Sequence, residues 1–242
     1  MCILCSDEPG FVSRQWMSGP SAESASLAAV AASAPPPGDL ARVIDQLITS
    51  WTVRPGQPPE DDARTWAGTQ LTYAIPSTSP PSSVFTESTG YRTMTTLMVD
   101  RVREAFELWD DLIAIELVET TSATNHDISF AYSSVTQGGG TYASPTVTQG
   151  NNGIDTITKQ RIWINSSWTT HDTDADPFYG AFGGQTYVHE IGHTLGLSHP
   201  GKYDAGAGGP ITYDGNAEYA QDTRKYTVMS YPDGGYHPVV SA

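Results

Sequence analysis

His189-Glu190-Ile191-Gly192-His193-Thr194-Leu195-Gly196-Leu197-Ser198-His199 gathers three imidazoles and one carboxylate into a single short run. On an α-helix, residues four apart lie one turn apart on the same face, so His189 and His193 share a face. Glu190 is rotated about 100° from His189, within reach of a water at a metal without being a ligand itself. Glycine tolerates positive φ, so Gly196 lets the backbone leave the helix sharply. That turn can swing His199 back as a third ligand. Neutral imidazole suits Zn²⁺, and three protein ligands plus a water make the open arrangement of a catalytic site. A helix with satisfied surface histidines is the bland alternative. A bare H-E-x-x-H leaves it standing, but H-E-x-x-H-x-x-G-x-x-H leaves it little room. The stretch predicts a zinc site of the kind that hydrolyses peptide bonds.

The composition sets broad limits around that site. The chain has 242 residues, 38% hydrophobic and 16% charged, with 23 Gly and 17 Pro. That is enough for one substantial core in a loop-rich protein. A formal net charge of −15, without any basic block, repels phosphates, so nucleic acid and anionic membranes are poor partners. No apolar run reaches the ~18 residues needed to span a bilayer. The two cysteines, Cys2 and Cys5, sit at the extreme N-terminus, so no disulfide framework holds the body together. Leu27–Ala34 loosely resembles a signal-peptide core, but Asp7, Glu8 and Glu23 outnumber Arg14 before it. A signal peptide needs positive charge there, so no secretory signal is expected.

Taken in order, residues 1–38 read as a flexible leader or pro-segment that ends in Pro35-Pro36-Pro37-Gly38, which is linker chemistry. Cys2-Ile3-Leu4-Cys5 is one C-x-x-C without a second half, so incidental thiols are the bland alternative. The sharper possibility is latency, with a leader thiolate taking the open zinc position. Residues 39–242 then form the catalytic domain. Asp39–Trp51 predicts a first helix that Asp39 can cap, with Leu40, Val43, Ile44, Leu47, Ile48 and Trp51 at helical spacing. Thr69–Ile75 alternates like a strand and ends at Pro76. A long amphipathic helix is expected from about Thr93 to Leu112, with Met94, Leu97, Met98, Val102, Ala105, Phe106, Trp109 and Ile113 inward. Further strands are expected at Ala114–Glu119, Asp127–Tyr132, Thr141–Ser144 and Arg161–Asn165. The acidic stretch Thr169–Pro177 lacks the glycine and distal glutamate of an EF-hand, so it reads as a solvated loop. The motif helix starts near Phe182–Thr186, with Val188, Ile191 and Leu195 toward the core. His126, His171 and His237 are isolated and read as surface or loop residues. These elements predict an α+β fold, a mixed sheet with helices on one side.

From His189 to Gly201 the chain resembles a metzincin, and specifically the serralysin family of secreted bacterial zinc endopeptidases. Pro200, Gly201 and Tyr203 match the serralysin form of the motif, with Asp204 where asparagine is commoner. Tyr219-Ala220-Gln221-Asp222 and Tyr226-Thr227-Val228-Met229-Ser230-Tyr231 are similar to that family's approach to the Met-turn. The likeness covers about residues 40–235. It implies the metzincin (zincin-like) catalytic domain, a twisted mixed five-stranded sheet with a long helix and an active-site helix. It implies His189, His193 and His199 as zinc ligands and Glu190 as the catalytic carboxylate. Met229 would form the floor beneath the metal. Tyr231 would be the movable tyrosine that both ligates zinc and assists catalysis. Thr141, Tyr142, Ala143 and Ser144 would be the edge strand that pairs with extended substrate.

The same resemblance implies a further helix and a calcium-binding β-roll of Gly/Asp nonapeptides beyond Ala242, so the chain reads as C-terminally shortened. Calcium enters only through that β-roll. Export is expected to the extracellular space by a leaderless route. Expected partners are protein or peptide substrates and a proteinaceous inhibitor, with the chain monomeric. The competing expectation is a catalytically silent or latent zinc module that holds a protein partner in the same cleft. An intact Glu190 argues against it, because a structural site needs no general base and closes with a fourth protein ligand. A carboxylate-pair glycosidase has only scattered Asp and Glu in its favour.

Overall fold

The computed structural model describes residues 35–49, 63–79, 86–136, 140–150, 153–167, 182–201, 203 and 211–232. In chain order these form helix α1 (Leu40–Thr49), strands β1 (Ala63–Trp66) and β2 (Gln70–Ala74), a 3₁₀ turn (Thr86–Gly90) and β3 (Tyr91–Arg92). Helix α2 (Thr96–Asp110), β4 (Glu116–Glu119), β5 (Ile128–Ser133), β6 (Tyr142–Thr148) and β7 (Ile154–Asn165) follow. Helix α3 (Phe182–Thr194) and the single turn α4 (Tyr213–Asn216) complete the order.

Ile128-Ser-Phe-Ala-Tyr-Ser133 is buried along its whole length, the pattern of a strand covered on both faces. It lies at the centre of the sheet, whose order is β1-β7-β5-β2-β4. All neighbours along that path are parallel. β3 adds to β5 and β6 to β7, both antiparallel, so the sheet is mixed. It has seven strands where five were expected. β1 was missed because Ala-Arg-Thr-Trp carries no alternation, and β3 because two residues show no period. β7 extends back to Ile154 and β6 forward to Thr148. Pro145 lies within β6 opposite Gln160, which a strand paired on one side accepts because the missing N–H breaks no second ladder.

Helix α2 begins where Thr95 caps it, its hydroxyl accepting from Met98 N–H at 3.2 Å. Met98, Val102, Ala105 and Phe106 are its buried face. Phe106 stacks on Tyr73 of β2, with ring centroids 3.9 Å apart and planes 11° apart. Its other neighbour is Phe130 of β5, edge-on at 6.4 Å, and Phe130 meets Tyr187 of α3 at 5.1 Å, again edge-on. This aromatic column ties sheet, long helix and motif helix into one core, and such pairs stabilise beyond their buried area. Val188, Ile191 and Leu195 pack on it as expected.

Burial departs from the local sequence pattern at two places. The stripe of α1 is not a core face: Leu40, Ile44 and Ile48 are 72%, 47% and 41% exposed, and Gln46 is the buried side chain. Periodicity reports an amphipathic helix but not what covers it. The α1 segment is instead attached through its backbone, with Ala220 N–H donating to Pro36 O, Gly38 N–H to Gln221 Oε1, and Ser198 N–H to Leu47 O. His126 lies in the loop before β5, as expected, and is buried there, with Nδ1 3.0 Å from the Ser122 carbonyl. The leader through residue 34, Trp51, the acidic stretch 169–177, His171 and His237 lie outside the described residues. No helix among the described residues is long and apolar enough to cross a membrane.

Two outcomes follow from this core. Phe106→Ala leaves a cavity between Tyr73 and Phe130 and should cost about 3–5 kcal/mol, read as a lowered urea midpoint. His126 has its pKa lowered, chiefly by burial, with Lys159 and Arg161 adding to the shift and the Ser122 carbonyl and Asp127 opposing it. Its neutral form is therefore favoured by folding, so its contribution is intact above the unfolded value of about 6.5 and declines as pH falls below it. Urea midpoints of His126→Gln should fall less than wild type between about pH 7 and pH 5; parallel curves would refute this.

Candidate metal centre

Helix α3 stops at a glycine whose conformation no other residue adopts easily. Gly196 has φ +105°, and a Cβ there would lie 2.3 Å from the Arg64 carbonyl oxygen of β1. Gly196 N–H donates to His193 O and Leu197 N–H to Gly192 O, the paired bonds of a Schellman motif. The chain reverses at that point, and His199 returns toward the face that carries His189 and His193.

The three imidazoles are buried, with exposures of 3%, 1% and 4% in chain order. Their ring centroids lie 4.5 Å (His189–His193), 5.4 Å (His189–His199) and 4.8 Å (His193–His199) apart. Each ring donates from Nδ1 to a backbone carbonyl: His189 to Val228 at 2.8 Å, His193 to Leu197 at 2.7 Å and His199 to Tyr203 at 3.0 Å. A carbonyl oxygen only accepts, so these bonds place the proton on Nδ1 and leave the Nε2 lone pairs available. Burial lowers all three pKa values, that of His189 to about 4. Neutral imidazoles are the ligand form. Their candidate ligand atoms all lie within 4.8 Å of one another, and His189 Nε2 is buried without a hydrogen-bond partner. This donor set fits zinc.

Glu190 is fully buried, and desolvation raises its pKa well above the usual carboxylate range. The Ala143 N–H of β6 opposes that shift, yet neither carboxylate oxygen closes a hydrogen bond among the described residues. Such an orphaned carboxylate is costly unless it serves a bound species. Met229 is 1% exposed and packs beneath Gly192, where a Cβ would come within 2.6 Å of its Sδ. The Tyr231 ring is buried, 4.5 Å from His199 and 5.6 Å from His189. Thr141 bridges into β6, its hydroxyl accepting from Asn165 N–H at 3.1 Å, and Tyr142–Ser144 form the start of that strand. Cys2 and Cys5 lie outside the described residues.

Five residues that bear on the site had no role at it assigned from sequence. Tyr203 stacks on His199 at 5.3 Å and donates its hydroxyl to Asp222 Oδ1 at 2.6 Å. Ser230 donates to the same oxygen at 2.7 Å, so buried Asp222 binds the segment after the third histidine to the methionine turn. Trp109 Nε1–H donates to Val188 O and Trp66 Nε1–H to Thr194 O, fixing α3 at two levels. Tyr203, Asp222 and Ser230 stood inside the motif resemblance, so a signal existed for them. The tryptophans gave none, because nothing local relates them to α3.

A family model described as matrixin (Peptidase_M10) matches residues 65–218. Metalloprotease AprA of Pseudomonas entomophila (strain L48) is 37% identical over 158 residues, covering 64% of this chain and 30% of that protein. A serralysin of Photorhabdus luminescens is 38% identical over 128 residues, and metallopeptidase AprA of Pseudomonas marginalis is 40% identical over 131. Each covers 52% of this chain and 25% of the relative. The chain thus spans no more than about a third of the length of these curated relatives. With the matched segment running from β1 through the triple-histidine helix to the turn before the methionine, the chain belongs to the matrixin peptidase family and resembles its serralysin-type metalloproteases.

Proposed function

We propose that the chain is the catalytic domain of a zinc-dependent endopeptidase acting on extended protein substrates. One observation carries this reading: three buried, neutral imidazoles are aimed by backbone carbonyls at a common point, with a buried carboxylate beside them that closes no hydrogen bond among the described residues. Family membership and the names of the relatives support the reaction class. Zinc held at that point supplies a charge that polarises the scissile carbonyl, lowers the pKa of water there to about 7 and offsets the burial of Glu190.

The residues of the chain then divide the work. His189, His193 and His199 hold the ion through Nε2. Glu190 accepts the proton of the attacking water on a carboxylate oxygen and passes it to the leaving amine. Tyr231 brings its hydroxyl to the oxygen on which negative charge develops and doubles as a movable ligand, a reading that its ring 4.5 Å from that of His199 supports. Met229 supports the floor through its contact at Gly192. Substrate backbone pairs along β6, whose only strand partner among the described residues is β7. Residues 1–38 act as a leader in which a Cys2 or Cys5 thiolate can take the open ligand position, and 39–242 form the catalytic domain. The protein works outside the cell.

Casein hydrolysis should vanish with a chelator and return with zinc. Glu190→Gln should bind zinc one to one, by atomic absorption, yet lose about 10²-fold or more of its hydrolysis. Substantial turnover by the zinc-loaded variant would sink the general-base role. Asp222→Asn loosens Tyr203 from Ser230 and should weaken zinc about 10–100-fold in a chelator competition; unchanged affinity would remove Asp222 from the support of His199.

A further inference from the structure

Strand β6 carries a proline two residues from its contact with the motif helix. It runs antiparallel to β7, with Ala143 opposite Ile162 and Pro145 opposite Gln160. Residues in such a pair alternate: one turns both its N–H and its C=O to the partner strand, and the next turns both away. The Ala143 N–H is directed at Glu190 of α3, so Ala143 is turned away from β7. Pro145, two residues on, shares that orientation. Its lack of an N–H fits, because the bonds to β7 then fall to the residues on either side of it. No other strand among the described residues pairs along that side.

The outward edge of β6 is therefore richer in acceptors than in donors. Ala143 presents a carbonyl and an N–H turned to Glu190, whereas Pro145 presents a carbonyl alone. An extended peptide along this edge can give its N–H groups to both carbonyls. One of the peptide's own carbonyls comes opposite the proline nitrogen and meets no donor, whichever way the peptide runs. In an antiparallel arrangement it belongs to the residue facing Pro145; in a parallel one, to the residue between Ala143 and Pro145. Directly beyond, the register with β7 shifts between Thr146 and Val147, and such irregularities bend a strand and end regular pairing. Proline and bulge are also the devices that keep an open edge from pairing with another chain at length. An edge that stays open for substrate cannot be covered, so these devices suit it.

We infer that Pro145 is a specificity-determining residue, which ends backbone recognition of the substrate one hydrogen bond short and leaves one substrate carbonyl unread. This rests on the endopeptidase reading with β6 as the substrate strand. A backbone bond away from the reacting atoms is made equally in the bound and transition states, so restoring it acts on KM rather than kcat.

The test compares the zinc-loaded full chain with Pro145→Ala and Pro145→Gly. Both variants return an N–H but differ in side chain and backbone freedom, so an effect they share belongs to the donor. Fluorogenic peptides share one scissile bond and lengthen by one residue at a time on either side of it. KM should fall about two- to tenfold in both variants, and only for peptides long enough to reach the substituted residue. In the longest peptide, each carbonyl except the scissile one is then replaced in turn by thiocarbonyl, a poorer acceptor. A single replacement should raise KM in both variants while leaving the wild type unaffected. KM values unchanged by either substitution, or lowered equally for short and long peptides, overturn the inference. So does a thiocarbonyl scan that reads the same in wild type and variants. KM does not depend on the active fraction, so partial unfolding of a variant cannot mimic the expected result. Calorimetry on zinc-loaded Glu190→Gln, with and without Pro145→Ala, separates the strand from the reaction. Tighter binding of the long peptides alone in the double variant upholds the role of Pro145; equal binding overturns it. A wild type that cleaves no peptide refutes the endopeptidase reading, and the calorimetry still decides Pro145.

Discussion

Three hydrogen bonds from imidazole Nδ1 to backbone carbonyls determine what this site can do. Each fixes the tautomer, turns Nε2 inward and stiffens the ring before any ligand arrives. Two of them are local: the acceptors Leu197 and Tyr203 follow their histidines by four residues. The third joins His189 to Val228, thirty-nine residues on. A correctly aimed triad therefore exists only when the methionine turn is docked against α3. Local sequence can orient two of the imidazoles, but the complete set depends on tertiary structure.

That docking has identifiable causes. Gly192 leaves room for Met229 where any side chain would collide with its Sδ and with Trp109. Asp222 gathers the Tyr203 and Ser230 hydroxyls on one oxygen, so the loop after His199 and the turn carrying Val228 are fastened at one point. From the other side, the Tyr73–Phe106–Phe130–Tyr187 column holds α3 against the sheet. Gly196 ends the helix at the one place where β1 passes, with no space for a Cβ beside the Arg64 carbonyl. Packing, capping and the donor set thus converge on the same few residues, the consistency expected of a sequence that specifies one structure.

This division explains what the sequence disclosed. The motif helix, its glycine exit and the three histidines were legible because their spacing is local and periodic, as was α2 with its inward Met98, Val102 and Phe106. Family likeness, not spacing, brought Met229 and Tyr231 to the site. The parts that escaped are those set by contact across the fold. Trp66 and Trp109 reach α3 from β1 and α2, and no pattern in their own neighbourhoods announces it. The stripe on α1 was legible as amphipathic, yet burial depends on a neighbour that periodicity does not name. His126 escaped for the same reason in reverse: nothing around it in sequence is apolar enough to announce its burial.

The electrostatics of the centre impose one further constraint. Burial acts on all four titratable groups of the motif by the same physics but with opposite results. It holds His189, His193 and His199 neutral and favours the protonated form of Glu190. A nucleophilic site needs the first result and is hindered by the second, because a general base must be ionised. More solvent would free Glu190 but would also let the imidazoles protonate and lose their ligand character. Only a nearby positive charge reconciles the two, since it stabilises the carboxylate and further disfavours imidazolium. Metal affinity and readiness of the base are therefore coupled in this fold, and wetting the site would ionise Glu190 only at the cost of protonating the imidazoles.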